Sequence, residues 1–216
     1  MNARTMALVA LCSIAGVGMT VGCGDDNTAS NLTADSLVIV STAALDGFVI
    51  SDSTGSAAAG GPLVGDFDAV APGKAYRTLY SFDITAFPAG AVLDSARLRL
   101  FLAAHTTTPF TELGNVIVDH VDYGATFEGS DYYAGALQSN IGAIATDTIR
   151  GYKSLGVTSS VQADLTAART RSQFRLRFST IDGNNDGTND YVQFGDAEMS
   201  CCAVDSVPQL KVYFRH

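Results

Sequence analysis

The stretch Tyr76 to Ala103, YRTLYSFDITAFPAGAVLDSARLRLFLA, constrains the fold more than any other part of the chain. It reads as two strands and the turn between them. In the first, Tyr76, Thr78, Tyr80, Phe82 and Ile84 share one face. In the second, Ala96, Leu98, Leu100 and Leu102 point one way and Arg97, Arg99 and Phe101 the other. Strand side chains alternate between faces, so each strand has one face for a core and one for something else. Phe87-Pro88-Ala89-Gly90 suits the turn, with Pro fixing φ and Gly free to take a positive φ.

The same style continues on both sides. Short strands are predicted at 37–40, 48–50, 63–65, 116–123, 174–178, 191–194 and 210–214. In 116–123 the apolar alternation slips between Val118 and Val121, which predicts a bulge. Residues 123–156 hold no regular pattern and read as a long irregular connection. Thr158 to Arg169 predicts the one helix, with Ser or Thr available as a cap and Arg169 near its end. Many short strands with little helix predict an all-β antiparallel β-sandwich of jelly-roll type with one short helix. No repeat or linker interrupts residues 36–216, so they are expected to form one domain.

Composition narrows the function classes. The 216 residues are 47% hydrophobic, enough for a real core, and carry a formal charge of −9. An acidic chain argues against nucleic acid, which selects basic surfaces. Trp is absent.

The N-terminus reads as an export signal. Arg4 is followed by an apolar run from Met6 to Val21, too short for an ordinary membrane-spanning helix. Gly22-Cys23 after small residues resembles a bacterial lipobox, in which the cysteine is acylated and becomes the first residue. On that reading residues 1–22 are removed and Cys23 anchors the protein to a bacterial membrane, outer membrane or cell surface. The alternative is a plain secretory signal with an incidental cysteine. Residues 23–35 are polar and unpatterned, as a flexible tether would be.

Several stretches, taken in order, resemble the DNRLRE-domain family. They are Ser81-Phe82-Asp83-Ile84, Pro88-Ala89-Gly90-Ala91, Ser95-Ala96-Arg97-Leu98-Arg99-Leu100-Phe101, Val157-Thr158-Ser159 and Pro208-Gln209-Leu210-Lys211-Val212-Tyr213. That family comprises carbohydrate-binding-module-like jelly-roll sandwiches in secreted bacterial and archaeal proteins. The resemblance spans about residues 37–216. It implies a non-catalytic, surface-anchored module that recognises extracellular polysaccharide, with the lipid anchor as its one membrane contact. Where relatives often carry Trp, this chain has Tyr123 and Phe127. The other expectation is a structural or adhesive surface lipoprotein with no small ligand.

Sugar recognition needs flat aromatic faces with polar groups around them, and Tyr123, Tyr132 and Tyr133 are the candidates. Arg97, Arg99, Arg175 and Arg177 occupy outward positions of two strands. If those strands are neighbours, the four form a basic stripe suited to acidic polysaccharide. The other reading is a solvated sheet face paired with carboxylates.

Asp182 to Asp190, DGNNDGTND, carries oxygen ligands at the spacing of a calcium loop: Asp182, Asn184, Asp186, the Thr188 carbonyl and Asp190, with Gly187 at the sharp turn. Gln193 stands where such loops have Glu. The same residues also make a polar hairpin turn, so calcium and a plain turn both remain open. Cys201 and Cys202 are adjacent; they form a strained disulfide ring or stay free. Catalysis finds no motif: His105, His120 and His216 are isolated in sequence, and no G-x-S-x-G elbow occurs.

Overall fold

The computed structural model describes residues 33–56, 61–106, 108–197 and 206–216. Its strands are β1 (Ala34–Val40), β2 (Gly47–Ile50), β3 (Gly55–Ser56), β4 (Leu63–Asp66), β5 (Ala75–Asp83) and β6 (Val92–His105). They continue as β7 (Val116–Val121), β8 (Ala136–Ala145), β9 (Gly151–Gly156), β10 (Arg171–Phe178), β11 (Tyr191–Phe194) and β12 (Gln209–Arg215). Two helices, α1 (Pro109–Glu112) and α2 (Thr158–Thr166), and two 3-10 turns, Ala43–Leu45 and Gly129–Tyr133, complete the described elements.

Every strand pairing is antiparallel. One half of the sandwich runs β1-β12-β6-β9. The other runs β2-β5-β10-β7-β8, with β3 beside β2. At one end β11 pairs with β6 and with β4, and β4 pairs with β5, so the halves are continuous there. The chain passes repeatedly between the halves: β5 to β6, β6 to β7, β8 to β9 and β9 to β10. This is the expected all-β antiparallel sandwich, and α2 is its short helix.

The alternation read from the sequence builds the core. Leu98, Leu100 and Leu102 of β6 meet Tyr80 and Phe82 of β5, Phe174, Leu176 and Phe178 of β10, and Leu210, Val212 and Phe214 of β12. Each fully buried apolar side chain contributes about 1.5–3 kcal/mol. Tyr80 is buried too, and its hydroxyl donates to the Gly195 carbonyl at 2.7 Å. The turn before β6 closes as predicted: Ala91 N donates to Pro88 O at 3.2 Å, and Gly90 takes φ 79°.

Two expectations are corrected and a third is found on one side of its strand. Residues 123–156 are not a long irregular connection, because they supply β8 and β9. From Ala136 to Asn140 β8 is solvent-exposed, with Leu137 its one large apolar residue, so no apolar alternation marks this half. The slip predicted in 116–123 is seen against β8, where the register shifts between Val118 and His120 and between His120 and Val121, while the pairing with β10 runs regularly from Val116 to Val121. Val116 and Val118 face the main core, whereas Val121 joins a second apolar cluster with Leu45, Val49, Leu79, Tyr123 and Tyr132. The apolar residues change face because both faces of β7 are covered. Helix α2 follows Val157, with no side-chain cap; Thr158 Oγ1 instead accepts from Ala96 N at 3.0 Å, tying the helix start to β6.

Candidate functional site

The four arginines do not form a stripe. Strand β6 pairs with β9, β11 and β12, and β10 with β5 and β7. Both strands turn their apolar residues into one shared core, so their arginines lie on opposite outer faces.

On the β10 face the predicted ligand residues hold the structure together. Asp119 is fully buried, and Arg175 Nη2 and Arg177 Nε each donate to its Oδ2 at 2.9 Å. Burial pushes the Asp119 carboxyl up, but the Arg177 fork, the Asn140 amide and Arg175 outweigh it and leave it below the ordinary value. Arg175 Nη1 also donates to Ala134 O at 2.6 Å, and Arg77 Nη1 to Tyr132 O at 2.7 Å. These bonds pin the turn 129–133 onto the sheet.

Two of the three tyrosines are buried with it. Tyr123 donates its hydroxyl to Leu45 O at 2.6 Å, and Tyr132 donates to Asp182 Oδ2 at 3.1 Å. Burial lifts both hydroxyls above their ordinary pKa. The Tyr132 ring is covered by the Arg77 guanidinium, 4.1 Å from its centroid. Tyr133 is 64% exposed and donates to Ser51 O at 2.6 Å. The three therefore do not make a common aromatic platform.

The β6 face is different. Cross-strand register sets its outward residues in rows. One row is Val38, Lys211, Arg97 and Gly156; the next is Val40, Gln209, Arg99 and Ser154. Phe101 and Tyr152 follow as a cross-strand pair, ring centroids 5.6 Å apart. The Arg99 guanidinium lies over the Tyr152 ring, 4.3 Å from its centroid, and donates from Nη1 to Gln209 Oε1 at 2.9 Å. Arg97 and Lys211 face each other, and neither side chain has a partner among the described residues. Val38, Arg99, Tyr152, Gln209 and Lys211 line a groove of about 360 Å³. Neither row contains a carboxylate.

Sequence reading named Arg97 and Arg99 but missed Tyr152, Gln209 and Lys211. The signal was present in Lys211, which takes an outward position between Leu210 and Val212. Tyr152 was hidden in a strand without an apolar pattern.

The loop proposed for calcium closes on itself and on its neighbours. Asp182 Oδ2 accepts from Arg77 Nη2 at 2.6 Å and Nε at 3.0 Å. Asp186 Oδ1 accepts from Thr188 N and Oγ1 at 2.8 and 2.6 Å. Asn184 and Asp190 donate their backbone amides to the buried Asp66 carboxylate at 3.1 and 3.0 Å. Among the described residues, no group of three or more His, Cys, Asp or Glu is arranged to hold a metal. Asp182, the first ligand of the calcium reading, gives its Oδ2 to Arg77, while its buried Oδ1 has no hydrogen-bond partner among the described residues. Cys23, Cys201 and Cys202 lie outside the described residues.

His120 is not isolated in the fold. Its Nε2 is 2.9 Å from both carboxylate oxygens of Asp164, which also accepts from Ser172 Oγ at 2.7 Å and Arg169 Nη1 at 3.2 Å. His120, Asp164 and Ser172 are all buried, so this network locks α2 to β7 and β10.

No protein-family model matches the chain, and no curated protein matches it. A solved structure, BuGH86wt in complex with neoagarooctaose, is similar over 85% of this chain and 20% of its own length. The TM-score is 0.33 and the sequence identity 13%, a likeness too slight to carry an argument.

Proposed function

We propose that the protein is a non-catalytic module that binds anionic extracellular polysaccharide on the outer face of β1-β12-β6-β9. The observation that carries this reading is the pair Arg97 and Lys211, directly opposite each other and unpartnered among the described residues. Two adjacent cations repel, and an anion bridging them relieves that repulsion. The Arg99 guanidinium is held in place over Tyr152 and by its bond to Gln209. A guanidinium fork suits carboxylate and sulfate groups. The face is positive on a chain whose formal charge is −9, so the polarity is local.

The test is affinity electrophoresis through gels containing dextran sulfate, polygalacturonate or neutral dextran. Retardation is expected from the two anionic polymers, weakening as salt screens the exposed charges. No retardation by either polymer overturns the proposal.

One feature favours the structural or adhesive alternative. Among the described strands, β1 pairs only with β12, and Val38 and Val40 on it are 50% and 46% exposed. An open edge of this kind pairs readily with another chain. Concentration-dependent association without any polymer binding would move the reading there.

The resemblance at Gly22-Cys23 adds a proposed lipid anchor. Exchange of Cys23 for Ser is expected to abolish fatty-acid labelling and release the protein from membranes. Label retained by the variant would show that Cys23 is not the acylated residue.

A further inference from the structure

We infer that the outer face of β1-β12-β6-β9 takes an internal stretch of a linear polysaccharide, laid across the strands, and does not recognise a chain end. This rests on the anionic-polysaccharide reading above and adds how the polymer lies. The row Val38, Lys211, Arg97 and Gly156 crosses β1, β12, β6 and β9 in register. Neighbouring strands are spaced about 4.8 Å apart, so three steps span roughly 14 Å. That length exceeds a single sugar ring, and the two unpartnered cations sit at its middle.

Among the described residues, neither end of the row is walled. At the β1 end stands Val38, half exposed on an edge strand. At the β9 end Gly156 contributes no side chain, and a Cβ built there meets nothing within 4 Å. Ser154, the next outward residue of β9, is small as well. Recognition of a chain terminus requires a site closed around the last unit, as in a concave pocket. A track open at both ends offers nothing to read the terminus. It lets the chain run on past Gly156, so contact should grow with length until the row is filled.

Gly156 provides a test that leaves every cation in place. Its φ is not in the positive range, so a side chain is conformationally tolerated there. Gly156→Ile puts a β-branched wall on a strand, a setting such residues favour. The measurement is calorimetric titration of wild type and G156I with polygalacturonate, and with its disaccharide and octasaccharide. For wild type the octasaccharide should bind at least about tenfold more tightly than the disaccharide. Borohydride reduction of the chain end should leave octasaccharide affinity unchanged. The wall should weaken the octasaccharide by about tenfold while the disaccharide and the thermal midpoint stay as in wild type.

Equal affinity for both lengths, loss of binding on end reduction, or full octasaccharide affinity in G156I would each overturn the inference while leaving polysaccharide binding intact. A lowered thermal midpoint in G156I is separated from blockage by the disaccharide titration. Failure of wild type to bind the polymer at all would remove the underlying reading and this one with it.

Discussion

Replacing Asp119 by Ala is expected to cost about 3–5 kcal/mol of stability, the usual loss when one partner of a buried ion pair is removed. Asp119 is fully buried and faces Arg175, whose side chain is 7% exposed, and Arg177, at 22%. Without the carboxylate both guanidiniums keep their desolvation and lose their counter-charge. Asn140 N, which donates to Asp119 Oδ1 at 2.8 Å, loses its acceptor as well, so the attachment of β8 loosens. Asp119→Asn preserves shape and one acceptor and should lose less. Urea unfolding of the three proteins measures the difference.

The pH dependence has a definite sign. The folded Asp119 carboxyl lies below its ordinary value. An unfolded aspartate titrates near 3.9, so the ionised form contributes its full stability above that value and loses it as pH falls through the folded pKa. The gap between wild type and Asp119→Asn should be constant above about pH 5 and shrink as the medium is acidified below about pH 4. A gap that does not shrink would mean the carboxylate charge is not what stabilises this face.

Asp119 also explains why the sequence misdirects on this face. Arg175 and Arg177 alternate with Phe174, Leu176 and Phe178, and that pattern correctly assigns them to the outer side of β10. It carries no information about what covers that side. The covering turn 129–133 comes from a region without alternation, and the carboxylate between the arginines lies 56 residues away from Arg175 in sequence. Tyr123 and Tyr132 mislead for a related reason. A tyrosine can be buried once its hydroxyl finds an acceptor, and Leu45 O and Asp182 are invisible as acceptors until the fold brings them close.

Where one face meets the core and the other meets water, the reading holds. Strand β6 alternates cleanly because Leu98 and Leu100 are inside while Arg97 stays exposed. Strands β8 and β9 escape notice because glycine, serine, alanine and exposed polar residues break up their few apolar positions, Ile141, Ile144 and Leu155. The candidate site was half legible for the same reason. Arg97 and Arg99 stand out on a well-patterned strand, whereas Tyr152 and Gly156 sit on a poorly patterned one. Their meeting depends on the register of β9 against β6, which is set by packing across the sheet.

The double exchange Arg97→Gln with Lys211→Gln should weaken binding to anionic polysaccharide by about a hundredfold, taking each lost charge-assisted contact as roughly 1.5 kcal/mol. Stability should barely move, because neither side chain has a partner among the described residues and surface substitutions of this kind stay within about 0.5 kcal/mol. The contrast with the other face makes the result specific. Arg175→Gln with Arg177→Gln leaves Asp119 buried and uncompensated, so it should destabilise strongly; below its unfolding temperature, polymer binding should remain. Two pairs of outward arginine-rich positions that look alike in sequence are thus expected to separate, one into binding and one into stability. Titration with dextran sulfate at low and high salt, alongside thermal unfolding of both variants, reads the two effects independently. The wild-type affinity should fall with salt, and the Arg97/Lys211 variant should lose most of that dependence because the exposed charges responsible for it are gone. Equal weakening of dextran sulfate binding by both double variants, measured while each is folded, would mean that the β6 face is not where the polymer binds.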